Sequence, residues 1–444
     1  MIDYRHLISF LLYPLLLMGQ HQISGTFSPA SDYNYVLLYQ TTVSGSNYIL
    51  SAELDSNGYF EIEMNSSRTP GMYQLVYALP ETEYNISLIY SAQEDIELTF
   101  SMESDVNFVN SVENQLMSSY SSTLDGFYSK IASFYAQGEN DQSKLMGLFK
   151  QLRTKQLEFE SLSEGLLVHQ FIRASKPYIP EHFVDAEIYS ANRRLHYFDH
   201  IDFGNETLQR SNFLMDAVLN FIIPDPELDL DDQVYIDRVD TALNKIGANM
   251  IFKKQALQAL WHQCVVLGKD HLAVHIADHY LLKLIPKNDT LRSEIVNFKK
   301  TAVGMKAPNF TFNDLVSGND KDINLYDFDY TDYYLILFWS STCEHCLMEL
   351  PKLHDYLSSI RENSLKVIAI GLEDDPTNWE KRSLEYPEFI HVYGEEKWDN
   401  PIGDAYGVYA TPSYFILDHN KSILAKPYDI EALKSVFNAL LEKE

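Results

Sequence analysis

The stretch that most constrains this chain is Tyr334-Leu335-Ile336-Leu337-Phe338-Trp339-Ser340-Ser341-Thr342-Cys343-Glu344-His345-Cys346-Leu347-Met348-Glu349-Leu350-Pro351. An apolar run ends in two cysteines three positions apart, and the residues that follow take up helical spacing. Two thiols at that spacing, where a strand feeds a helix, can exchange between dithiol and disulfide. The competing readings are a structural pair or half of a zinc site. Four-cysteine zinc needs a second pair, and the 444 residues hold one further cysteine, Cys264. Cys264 shares a helical side with Leu257, Leu260 and Trp261, where a lone thiol acts as a small hydrophobe. An intermolecular bond or a third redox thiol is the alternative for it.

Three cysteines cannot staple a chain of this length, so hydrophobic cores must carry its stability. The composition allows that, with 45% hydrophobic and 13% aromatic residues. A formal net charge of −29 argues against nucleic acid or an anionic membrane surface as a main partner. Leu7 to Met18 is a mostly apolar run, shorter than the roughly 20 residues of a spanning helix. Residues 1–20 are therefore expected to be a signal peptide, with an uncleaved anchor as the alternative.

Residues 21–108 alternate β-branched and aromatic runs, such as Tyr35-Val36-Leu37-Leu38-Tyr39, with turn signals such as Asp55-Ser56-Asn57-Gly58. That pattern predicts an antiparallel β-sandwich. The period then changes. Leu116, Tyr120, Leu124, Phe127, Ile131 and Phe134 recur at three- and four-residue steps, and a second such series follows Gly138, so 109–300 is expected to be helical. His271, His275 and His279 fall along one side of a helix there. No His-Glu-x-x-His arrangement accompanies them, so solvated or interface histidines are expected and no metal site is assigned. From 301 to 444 strands alternate with helices, the pattern of an α/β sheet.

Three motifs in this last region carry a resemblance. Gly304-Met305-Lys306-Ala307-Pro308-Asn309-Phe310, the Trp339 to Cys346 segment, and Tyr409-Ala410-Thr411-Pro412-Ser413-Tyr414-Phe415 resemble, in order, the landmarks of TlpA/ResA-like thiol-disulfide oxidoreductases. These are exported members of the thioredoxin superfamily, so the resemblance implies a thioredoxin-like fold for residues 301–444. It also implies a multidomain α+β chain with accessory β and helical regions ahead of the redox domain.

A cysteine at a helix N-terminus has its thiolate stabilised by free N–H groups and the helix dipole. Cys343 is therefore the expected nucleophile, and Cys346, one turn in, the resolving thiol. Glu349 matches the acid that ResA-like proteins hold beneath the active site, an expected proton acceptor or donor for Cys346. Thioredoxin carries its buried acid six positions before the first cysteine, which here is Leu337. The resemblance further implies that Trp339 packs near the cysteines, that Pro351 bends the helix, and that Pro412 is cis and faces the disulfide. Thr411 then offers backbone atoms to an extended substrate. His345 departs from the proline common before the second cysteine. A histidine there occurs in strongly oxidising relatives and can stabilise the Cys343 thiolate, whereas Glu344 disfavours it.

The expected function is an exported disulfide reductase of the periplasm or cell envelope, with no cofactor beyond the Cys343–Cys346 dithiol/disulfide. Its expected partners are a substrate protein with disulfides or thiols and a membrane electron donor. Two alternatives stay open: a disulfide oxidase or isomerase, and a non-enzymatic scaffold with a redox-sensing or copper-binding CxxC pair.

Overall fold

The computed structural model describes residues 21–442, apart from 66, 82, 140, 226, 227, 229, 315–318 and 362–363. The expected signal peptide, residues 1–20, lies outside them. The chain divides into two compact units, residues 1–225 with 238–256, and residues 226–237 with 257–444.

The first unit opens with eight strands: β1 (His21–Ser28), β2 (Tyr35–Thr42), β3 (Gly45–Glu53), β4 (Tyr59–Met64), β5 (Gly71–Val76), β6 (Asn85–Tyr90), β7 (Ile96–Ser101) and β8 (Asp105–Phe108). They form two four-stranded sheets, ordered β4-β1-β7-β8 and β3-β2-β5-β6. Alternate residues turn inward, as at Phe60, Ile62 and Met64 of β4 and Ile96, Leu98 and Phe100 of β7, and they meet Leu38, Tyr73 and Leu88 in one core. The ladders are antiparallel with one exception, β1 with β7, which run parallel in register from Ile23↔Ile96 to Ser28↔Ser101. The two strands are neighbours although some 70 residues separate them, so no hairpin dictates their direction.

The helix Val112–Ala136 starts where Ser111 accepts from Asn114 N–H, and it buries Tyr120, Leu124, Phe127, Ile131 and Phe134. Asn114 ties it to the sheets: its side chain accepts from Ile89 N–H at 2.7 Å and donates to Ile89 O at 2.8 Å. Buried Tyr120 donates to Gln156 in the following helix, Gln142–Leu162.

In the second unit, Cys264, on the part of the helix Met250–Val266 that follows Ala256, is fully buried, with its thiol pushed by burial to about 12. The rings of His275 and His279 stack with centroids 4.0 Å apart. Among the described residues no group of three or more His, Cys, Asp or Glu side chains is arranged to hold a metal.

The rest of this unit holds β9 (Thr311–Asp314), β10 (Asn319–Asn324), β11 (Tyr333–Trp339), β12 (Leu365–Leu372), β13 (Ile390–Gly394), β14 (Ser413–Asp418) and β15 (Ile423–Ala425). β9 and β10 make a ribbon, and the others form one sheet ordered β13-β12-β11-β14-β15. β11, β12 and β13 are mutually parallel, β14 is antiparallel to β11, and β15 is antiparallel to β14. The unbroken apolar character of β11 now has its cause, because both faces are covered. Leu335, Leu337 and Trp339 pack with the helices Glu344–Ser359 and Ile430–Leu441, whereas Tyr334, Ile336 and Phe338 pack on the opposite side with Tyr406 and Phe415.

Asp270 fastens the preceding helices to this sheet domain. It is 3% exposed, accepts from Val303 N–H at 2.8 Å and pairs with Lys426 Nζ at 2.6 Å. Lys426→Met is expected to lower the stability of this unit by about 3 kcal/mol, because it leaves a buried carboxylate without its cation. Denaturant unfolding of the full chain checks this, and a change below about 0.5 kcal/mol would show the pair to be idle.

Candidate active site

Trp339 ends β11, and the chain turns through Ser340-Ser341-Thr342 into the helix Glu344–Ser359, for which Cys343 is the N-cap. The cap geometry aims its sulfur at the first free amides: Cys343 Sγ lies 3.5 Å from Cys346 N. The same thiol donates to Thr411 O at 3.2 Å, so the loop ahead of β14 meets the nucleophile edge through its backbone. The Thr411–Pro412 peptide is cis.

The two thiols sit in opposite environments. Cys343 is half-buried; its burial opposes ionisation, but Cys346 N–H, the Thr411 side chain and His345 N–H outweigh it and hold the thiol below the usual range. Cys346 is fully buried, and that burial pushes its thiol up to about 12. A thiol held low ionises more readily, and one pushed up reacts only once a group takes its proton. Glu344 and His345 are both exposed on the first turn. Trp339 is fully buried in the core that also contains Cys346. Pro351 lies inside the active-site helix.

Glu349 is 3% exposed, one turn past Cys346. Its Oε2 accepts from Ile430 N–H at 2.7 Å, at the start of the last helix, and its Oε1 from Lys352 Nζ at 3.1 Å. Helical spacing from Cys346 and this capping contact keep a carboxylate under the active site although its surroundings are apolar.

Two residues near the site have no sequence expectation attached to them. Glu373, 2% exposed and directly after β12, accepts the N–H of Ser341 in the turn before Cys343. Its position at the C-terminal end of a parallel strand, where α/β sheets gather functional groups, is the signal that points to it. Tyr414, 2% exposed on β14, sits opposite Leu337 in the register and packs in the same core as Cys346. Its phenol is held above the usual range by burial first, then by the charges of Glu349 and Cys346.

Residues 303–426 match the AhpC/TSA family. The thiol-disulfide oxidoreductase ResA of Bacillus thuringiensis subsp. konkukian (strain 97-27) is 28% identical over 130 residues, which cover 28% of this chain and 69% of that protein. Among solved structures, a thioredoxin-like protein from Bacteroides caccae ATCC 43185 covers 59% of this chain and 97% of its own, at 23% identity and a TM-score of 0.35. A domain of a possible thiol-disulfide isomerase from Cytophaga hutchinsonii ATCC 33406 covers 32% of this chain and 97% of its own, at 32% identity and a TM-score of 0.27. The family match and the curated relative agree with the sheet order: the C-terminal domain is thioredoxin-like. It is similar to the TlpA/ResA-like thiol-disulfide oxidoreductases.

Proposed function

We propose that this protein reduces disulfides of other proteins in the cell envelope. The observation that carries the exchange chemistry is the asymmetry of the thiols, a half-buried Cys343 capping the helix beside a fully buried Cys346, and the direction is the part that the potential tests. In the cycle, the Cys343 thiolate attacks a substrate disulfide. The S–S bond of the substrate breaks, a mixed disulfide forms on Cys343, and the departing sulfur takes a proton from solvent. Cys346 then passes its proton to Glu349 and attacks Cys343 Sγ. The mixed disulfide breaks, the second substrate thiol leaves, and Cys343–Cys346 is oxidised by two electrons. A membrane-bound electron donor returns the pair to the dithiol, in keeping with the expected export.

Thr411 supports the substrate role, because a backbone carbonyl already in contact with Cys343 can pair with an extended segment around the target cysteine. The reduction potential of the full chain, equilibrated against glutathione and dithiothreitol, tests the direction. The expected value is near that of thioredoxin, roughly −270 mV, and a value of about −120 mV would make the protein an oxidase instead. Stoichiometric Cu(I) retention without exchange would return it to the non-enzymatic class.

A further inference from the structure

The buried end of the site holds polar atoms that the cycle above leaves idle, Tyr414 Oη and Trp339 Nε1 among them. Tyr414 Oη is buried and completes no hydrogen bond among the described residues. A buried O–H without a close, well-aligned acceptor costs stability, and the Glu349 carboxylate is the group that acts on this phenol. Its surroundings suggest what it waits for. Tyr414 lies across from Leu337 on β11, packs in the core that contains Cys346, and has the Glu349 carboxylate close enough to act on it. Glu349 is itself held by Ile430 N–H and Lys352, so the acid has a fixed seat beside the phenol. Cys346 is enclosed, so its thiolate needs donors from the protein, and the phenol is a neutral donor in the same core.

Resting on the proposed exchange function, we infer that Tyr414 is the hydrogen-bond donor for Cys346 during resolution, and that Tyr414, Glu349 and Cys346 form one buried proton path. As Cys346 attacks Cys343 Sγ, its S–H proton goes to the Glu349 carboxylate. The Tyr414 O–H turns to the sulfur, on which negative charge develops, and keeps its own proton throughout. The electron pair of the breaking bond leaves on the substrate sulfur. The other charged groups around these three residues are Lys352 on the active-site helix and Asp429 at the start of the last helix. Glu344, His345 and Glu373 lie on the Cys343 side.

The test uses the full chain with oxidised glutathione as probe, quenching with acid and counting mixed disulfide by mass. Tyr414→Phe should slow release of glutathione from Cys343 about tenfold at pH 7 and move the pH midpoint of that step up by about one pH unit, the equivalent of one charge-assisted hydrogen bond. Formation of the mixed disulfide serves as the internal reference. Because the phenol completes no well-formed hydrogen bond at rest, Tm should stay within about 2 °C of wild type. An equal loss in both steps marks a merely structural role and overturns the inference, as does no loss in either. In a Glu349→Gln background the further loss from Tyr414→Phe should shrink, and an undiminished loss would refute a shared path. Failure of the wild-type chain to form the mixed disulfide would overturn the proposed function together with this inference. Normal exchange with an indifferent Tyr414→Phe overturns this inference alone.

Discussion

Cys346→Ser should trap substrate proteins as stable mixed disulfides on Cys343, and Cys343→Ser should trap none. The difference follows from position. Cys343 caps the active-site helix, is half-buried and has its thiolate favoured by the amides of Cys346 and His345, whereas Cys346 is fully enclosed. A substrate sulfur reaches the first and not the second. Removing the resolving thiol leaves the mixed disulfide without its intramolecular escape, whose effective concentration far exceeds that of any competing thiol in solution. We expect covalent capture to differ by at least about a hundredfold between the two variants, read by non-reducing gels after acid quench. Equal trapping by both would reverse the assignment of nucleophile. In wild type the rate of mixed-disulfide formation should rise with pH through the Cys343 midpoint, because the thiolate is the attacking form, and the hydrogen bonds to this thiol put that midpoint below that of an ordinary cysteine.

The second large effect concerns stability. Gly371 lies on β12 between Trp339 of β11 and Tyr393 of β13, in a sheet covered on both faces. A Cβ at this position would overlap the indole of Trp379, which is 3% exposed on the helix Pro376–Ser383. An indole fixed in a core is not a flexible tip that can step aside, so the helix must shift or the sheet must distort. Gly371→Ala should therefore cost about 3 kcal/mol and lower the melting transition of the C-terminal domain by roughly 10 °C. A Tm within about 2 °C of wild type would mean that this side of the sheet yields far more easily than its packing implies.

Much of the active site was legible because its parts are local. Cys343, Cys346 and Glu349 lie within seven residues, and helical spacing alone puts the acid one turn behind the second thiol. β11 was legible for the same kind of reason, as a continuous apolar run bounded by polar residues. Glu373 and Tyr414 were not, because what brings them to the site is strand pairing across 32 residues in one case and the register Leu337↔Tyr414 in the other. Leu337 in the place of thioredoxin's buried acid marked a missing group, and nothing in the sequence said that the strand alongside would bring a phenol beside that gap. The parallel pairing of β1 with β7 escaped for a similar reason, since alternation reports which face is buried and is silent about which neighbour a strand takes.

The contact from Ile430 N–H to Glu349 joins the chemistry to the architecture. In the proposed cycle the acid alternates between a charged and a neutral acceptor, so the bond that seats the last helix alternates between a strong and an ordinary one. The seat of the C-terminal helix is thereby tied to the protonation of the acid beneath the two thiols.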